Sequence, residues 1–202
     1  MRGNKKIVEI VMAETKIYVF VLVGLVVFCL SSCKKNKQKD DTVQTVKEWT
    51  GKKVKFPKKL FCTSMGKDTA CVDVYNDNYK ILLYVDSLGC TSCRLKLYEW
   101  KKIMQESDTA FIRKPEFVFI FQPKKNGEEE LLQSIFRQNG FHHPVFIDKD
   151  NVIAEINKFP SNPEYQCFLL DKNNKVLLVG NPALVPGIWI LYKKIISERE
   201  TK

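Results

Sequence analysis

The chain has 202 residues, 45 % of them hydrophobic and 28 % charged; that suits one globular domain with a real core and excludes a wholly disordered protein. Thirty-three basic against 23 acidic side chains give a net charge of +10, but residues 34–59 account for +7 of it and residues 60–202 for only +1. Basicity gathered near the amino terminus is a poor footprint for a nucleic-acid-binding domain, so no nucleic-acid partner is expected; it suits a segment beside anionic lipid headgroups.

The first element is the uncharged run Ile17 to Leu30, IYVFVLVGLVVFCL. It is shorter than the roughly 20 residues of a bilayer span and fits a signal-peptide apolar region. Arg2, Lys5, Lys6 and Lys16 precede it, and Met12 is a second possible start. The run ends in Leu30-Ser31-Ser32-Cys33, which resembles the lipobox of bacterial lipoproteins. The resemblance implies cleavage before Cys33, acylation of that residue and a lipid anchor in the bacterial cell envelope, facing the periplasm. Lys34 stands where an Asp would resemble an inner-membrane retention signal, which favours the outer membrane. A lipoprotein signal peptide over 1–32, a flexible basic tether over 33–51 and one domain over 52–202 follow from this reading.

Within the domain, Val54, Phe56, Leu60 and Phe61 punctuate a basic stretch and suggest one or two short strands. Residues 59–75, with a Gly turn signal between Cys62 and Cys71, read as a hairpin. Tyr79 to Val85 is a nearly continuous apolar run, the pattern of a central strand buried on both faces. After Asp86-Ser87-Leu88-Gly89 comes Cys90-Thr91-Ser92-Cys93. From Thr91 to about Glu106, apolar residues recur every three or four positions, which predicts a helix. Glu116 to Phe121 is a second buried strand, Gly127 to Gln138 a helix with three Glu in its first turn, Pro144 to Ile147 a short strand and Val152 to Asn157 a helical turn. Tyr165 to Leu170 and Lys175 to Val179 form a hairpin around Asp171-Lys172-Asn173-Asn174, and Leu184 to Ser197 closes as a helix. Such an order predicts an α/β sandwich with a central mixed sheet flanked by helices and an amino-terminal β-hairpin extension.

Seven cysteines are present. Cys29 leaves with the signal and Cys33 takes lipid, so Cys62, Cys71, Cys90, Cys93 and Cys167 meet an oxidising compartment. Cys90-x-x-Cys93 falls where a buried strand hands over to a helix. A helix amino terminus offers free N–H groups and the positive end of the macrodipole, so a thiolate at Cys90 is stabilised there. Cys93, one turn on, is placed to resolve a mixed disulfide at Cys90. Cys62 and Cys71 read as a structural disulfide across the hairpin, with a second redox pair as the other reading. Cys167 reads as a small core side chain.

ILLYV at 81–85, GCTSC at 89–93, PVFIDKDN at 144–151 and FLLDKNNKVLLVGNP at 168–182 resemble the thioredoxin-like superfamily. The likeness is to its TlpA/ResA-type, AhpC/TSA-related lipoproteins of Bacteroidetes, over roughly residues 75–197. The resemblance implies a thioredoxin-like sandwich and a membrane-tethered thiol–disulfide oxidoreductase. In it Cys90 is the nucleophile and Cys93 the resolving thiol, acting on exported protein thiols and disulfides and recharged by an unidentified envelope redox donor. It implies no cofactor and no metal. Gly89 stands where the family carries Trp, and Tyr165 where it carries a cis-Pro, with Pro160 and Pro163 ahead. Tyr84 holds the strand position of a buried proton-relaying residue, two residues before Asp86. Those departures keep a redox-inert binding or scaffold lipoprotein open. A peroxiredoxin-like peroxidase fits less well, because Leu83 stands where its motif needs Pro. Four thiolates on zinc are disfavoured, since Cys62 and Cys71 lack the short spacing of a zinc pair. His142 and His143, the two histidines of the chain, read as surface residues of a loop.

Overall fold

A computed structural model describes residues 41–58, 60–86, 95–123 and 127–200. The chain divides into two compact units, Met1–Gln44 and Thr45–Lys202; the described residues of the first, 41–44, are helical. The leader, the Leu30-Ser31-Ser32-Cys33 motif and most of the segment read as a tether lie outside the described residues. Among the described residues no helix is long and apolar enough to cross a membrane.

The second unit holds seven strands: β1 (Cys62–Ser64), β2 (Lys67–Thr69), β3 (Lys80–Val85), β4 (Glu116–Phe121), β5 (Val145–Ile147), β6 (Cys167–Leu170) and β7 (Val176–Val179). Its named helices are α1 (Leu97–Ala110), α2 (Glu128–Gln138), α3 (Val152–Asn157) and α4 (Pro186–Glu200). The strands form one mixed sheet in the order β2-β1-β5-β4-β3-β6-β7. Strands β3, β4 and β5 run parallel, with Ile81 beside Phe117 and Phe119 beside Val145. On the other side of β3, β6 and then β7 run antiparallel, with Ile81 beside Leu169 and Phe168 beside Val179.

Successive strand residues point to opposite faces, and β3 feeds two cores. Ile81, Leu83 and Val85 pack with Trp100 and Ile103 of α1, Leu132 and Phe136 of α2, and Trp189, Tyr192 and Ile196 of α4. Leu82 and Tyr84 pack on the other face with Trp49, Val54, Cys62, Ile153 and Phe168. Covering on both sides is why β3 and β4 are written as unbroken apolar runs, KILLYV and EFVFIF. The crossovers β3-α1-β4 and β4-α2-β5 step the same way along the sheet, so α1 and α2 share the first face. Glu128, Glu129 and Glu130 at the start of α2 and Arg137 in its last turn complement the helix dipole.

The hairpin of β1 and β2 turns on Met65 and Gly66, with φ of 56° and 84°. Two successive residues in that region are the requirement of the tight hairpin turn that matches strand twist. A Cβ on Gly66 would stand 2.7 Å from Arg137 Nη1, so the hairpin tip rests against α2.

Several boundaries differ from the sequence reading. Residues 45–49, read as part of a flexible tether, are helical, and Trp49 is 2 % exposed. The strap that follows pairs with the sheet edge through Gly51 N to Val176 O at 2.8 Å and Val54 N to Asn174 O at 2.8 Å. Apolar Val46, Trp49, Val54 and Phe56, spaced among lysines, supply the burial that holds it down. The helix predicted from Thr91 is broken: Leu95 is helical, but Lys96 lies at φ 50° and α1 starts at Leu97 and runs on to Ala110. Tyr165 belongs to a 3-10 turn, Pro163–Tyr165, ahead of β6 rather than to the strand. Here Pro163 fixes the backbone of the first turn position and Asn162 accepts from Glu164 N. The second unit is an α/β sandwich, a mixed sheet flanked by helices with the hairpin added at one edge.

Candidate functional site at the carboxyl end of the parallel strands

Each of the three parallel strands is followed at its carboxyl end by a buried polar residue. Asp86 after β3 is 8 % exposed, Gln122 after β4 is 6 %, and Asp148 after β5 is 6 %. The backbone keeps the strands in step one residue further, with Gln122 N donating to Val85 O at 2.9 Å and Asp148 N to Phe121 O at 2.8 Å. Polar groups at this depth need partners, and the site is built from those they find.

Tyr84 on β3 donates from its hydroxyl to Gln122 Oε1, and Gln122 Nε2 donates to Asn151 Oδ1. Asp148 Oδ2 accepts from Ile153 N at 2.9 Å and Ala154 N at 3.1 Å, capping the start of α3. From the other side Gln166, the residue ahead of β6, gives its carbonyl to Tyr84 N at 2.9 Å. Its Nε2 donates to Asp86 Oδ2 at 3.3 Å and to Pro160 O at 2.8 Å. Phe159 stacks on Tyr84 with centroids 4.3 Å apart. Tyr84, Asp86, Gln122, Phe159, Pro160 and Gln166 line a cleft of about 240 Å³, to which Glu155 and Lys158 of the α3 segment add charge.

The position is chemically meaningful because open α/β sheets bind ligands beyond the carboxyl ends of their strands, where connections of differing direction separate. Here β4 leaves β3 on one side and β6 on the other, and the cleft lies where they part. The connection from β3 to α1, residues 86–96, starts at this cleft with Asp86. Cys90 and Cys93 belong to that connection and lie outside the described residues, as does Cys33. No peptide bond among the described residues is cis, including those ahead of Pro160 and Pro163.

Cys62 and Cys71 form a disulfide, with Cα atoms 5.2 Å apart. Cys167 on β6 is a free, fully buried thiol. Burial pushes its pKa up to about 12, so it carries no thiolate at neutral pH and no nucleophilic role. Its sulfur lies 3.9 Å from the Tyr192 hydroxyl, which donates to Gly180 O at 2.7 Å. Burial likewise raises the Tyr192 phenol well above its usual range.

His143, expected at the surface, is half-buried against the aromatic core, edge-on to Phe117 and Phe119. Its Nε2 is 2.7 Å from Phe117 O, and desolvation lowers its pKa despite that contact. Sequence reasoning missed Gln122, Asn151 and Gln166. The signal was available for two of the three: Gln122 directly follows one apolar strand and Gln166 directly precedes another. Among the described residues no cluster of His, Cys, Asp or Glu is placed to hold a metal ion.

No protein-family model matches the chain, and no curated protein matches it. Solved structures do. The thioredoxin domain of a thiol-disulfide oxidoreductase from Bacteroides vulgatus is 14 % identical over 71 % of this chain and 97 % of that one, with a TM-score of 0.46. A domain of a possible thiol-disulfide isomerase from Cytophaga hutchinsonii is 20 % identical over 76 % and 97 %, TM-score 0.45. A PrxQ mutant from Xylella fastidiosa is 12 % identical over 75 % and 96 %, TM-score 0.49. Each is a likeness of fold.

Proposed function

We propose that the chain is a lipid-anchored thiol–disulfide oxidoreductase of the bacterial cell envelope, exchanging electrons with exported protein thiols through Cys90 and Cys93. The observation that carries the reading is the position of this pair. In sequence Cys90-x-x-Cys93 falls within the connection between β3 and α1, whose first residue, Asp86, lines a cleft with buried polar groups.

The chemistry runs in two steps. A Cys90 thiolate attacks a partner disulfide, forming a mixed disulfide and expelling the partner's other sulfur as a thiolate. The Cys93 thiolate then attacks Cys90 Sγ, closing the Cys90–Cys93 bond and releasing the reduced partner. An envelope dithiol donor restores the pair by the reverse exchange. The Asp86 carboxylate, 8 % exposed and held by Gln166, is the acidic side chain that follows β3 at the start of this connection.

Replacement of each cysteine tests the reading. Cys90→Ser abolishes turnover of a model disulfide and traps no partner; Cys93→Ser accumulates mixed disulfides, visible as species that collapse with reductant. Undiminished turnover in both variants overturns it. A redox-inert scaffold, favoured by Gly89 in place of the family Trp, predicts that Cys90 stays unlabelled by alkylating agents near pH 6 before and after mild reduction. The oxidoreductase predicts fast labelling after reduction.

A further inference from the structure

The Cys62–Cys71 disulfide stands apart from the carboxyl-end cleft, and Cys62 borders a second, larger groove than that cleft. Cys62 lines a groove of about 480 Å³ whose apolar wall includes Phe61, Phe146, Val152 and Ile153. Phe61 is 80 % exposed there. The rim is acidic. Asp68 of β2, Glu129 of α2 and Asp150 line it, and the one cation among its described lining residues, Lys149, is paired with Glu129 at 2.7 Å. Asp148 also lines it, but its Oδ2 caps α3.

The hairpin carrying the disulfide is an edge element of the sheet. Strand β1 meets the rest of the sheet through only two residue pairs, Cys62 with Phe146 and Thr63 with Val145. All three residues of β2 are exposed. Ser64 Oγ also donates to His142 O at 2.6 Å and the tip rests against α2, and edge elements of this kind open more readily than central strands. The two sulfurs differ in setting: Cys62 is buried at 5 % exposure against the groove, whereas Cys71 is partly exposed. Attack on Cys62 therefore leaves the departing charge on the better-solvated sulfur, and solvation of the leaving thiolate favours that direction.

We infer that the Cys62–Cys71 disulfide is a second thiol–disulfide exchange site, reduced by a cationic peptide dithiol seated in the adjoining acidic groove. The incoming thiolate attacks Cys62 Sγ. A bond forms between the two sulfurs, the Cys62–Cys71 bond breaks, and the electron pair leaves on Cys71 Sγ, which takes a proton from water. The peptide's second thiolate then attacks its own first sulfur and expels Cys62 as a thiolate. The peptide dithiol is oxidised by two electrons and the Cys62–Cys71 pair is reduced by two. The inference goes beyond the Cys90–Cys93 reading and stands or falls without it.

The test uses the full chain carrying Cys90→Ser and Cys93→Ser, with cysteamine as a cationic thiol and 2-mercaptoethanesulfonate as an anionic one, at equal thiolate concentration. Opening of Cys62–Cys71 is followed by alkylation and peptide mass spectrometry. The expected result is opening about tenfold or more faster with the cationic thiol at low salt, the scale of electrostatic focusing in a charged cleft, with the first adduct on Cys62. Added salt and the double change Asp68→Asn/Asp150→Asn each shrink that ratio. Equal rates at low salt, a first adduct on Cys71, or opening only as fast as the whole domain unfolds each overturn the proposal. The same peptides followed in the unmodified chain give the answer should the double variant fold poorly.

Discussion

The two faces of the sheet are built on different principles. The first is covered by three helices and packed through aromatic edges: Trp100 meets Phe119 edge-on at 5.2 Å, and Phe119 meets Phe141 at 5.3 Å. The second is covered by an extended strap and one short helix. It mixes stacked rings, Trp49 on Phe159 at 5.6 Å, with buried amides such as Asn157, which bonds Lys55 N at 2.8 Å and Lys55 O at 2.9 Å. The lesson is a division of labour. Helices bring their own backbone hydrogen bonds and leave only side chains to pack. A strap must find partners for its backbone elsewhere, and the polar side chains recruited for that purpose give the second face its clefts.

The largest effect should come from emptying the first face. Trp100→Ala is expected to cost about 3–5 kcal/mol, read as a lowered denaturation midpoint of the whole domain. Trp49→Ala removes a side chain of equal size from the second face but should cost less in global stability. Native-state hydrogen exchange is expected to show the strap at 51–54 losing protection while β3 and β4 keep theirs; equal loss on both faces would remove the distinction.

Next in size is the hairpin. Joint replacement of Cys62 and Cys71 by Ser should cost about 2–3 kcal/mol, the entropy of freeing a short loop in the unfolded chain. Gln122→Leu should follow at about 1–3 kcal/mol, because it strips the Tyr84 hydroxyl and Asn151 of a buried partner. Tyr84→Phe, which removes the other end of that bond, should cost less in the Gln122→Leu background than alone, and a double-mutant cycle reads the difference.

The smallest effect concerns pH. His143 is on the first face, and burial lowers its folded pKa below the ordinary value of 6.5. The unfolded chain then binds the extra proton first, so stability is full above about pH 6.5 and falls as the pH drops toward the folded pKa. His143→Phe should flatten that slope between pH 7 and 5 when denaturation midpoints are compared.

Much of this was legible in the residues. Unbroken apolar runs marked β3 and β4, the Met65-Gly66 and Asp171–Asn174 turns marked the hairpins, and their order implied the mixed sheet. The strap was not legible, because Trp49 and Val54 sit among lysines at no regular period; only the sheet edge they cover explains them. The break at Lys96 was invisible too. The three-and-four spacing of Leu97, Trp100 and Ile103 is the same with or without a left-handed residue ahead of it, and lysine gives no warning of positive φ. The cysteine spacing could be read directly, while for the amide cluster the strand-end positions of Gln122 and Gln166 were visible but their meeting was not. Its members are distant in sequence and meet only because three parallel strands end at one level.

Lys80 begins β3 at the opposite end of the sheet and is wholly buried, its ammonium held by Asn76 O at 2.6 Å and Lys172 O at 3.2 Å. A charged group stripped of water in this way works as a rivet. The carbonyls that grip it belong to the loop entering β3 and the turn joining β6 to β7, so these neighbouring strands are clamped at their base. Separating β3 from β6 at this end would have to release both carbonyls from the ammonium at once, which ties the loop before β3 to the β6–β7 turn.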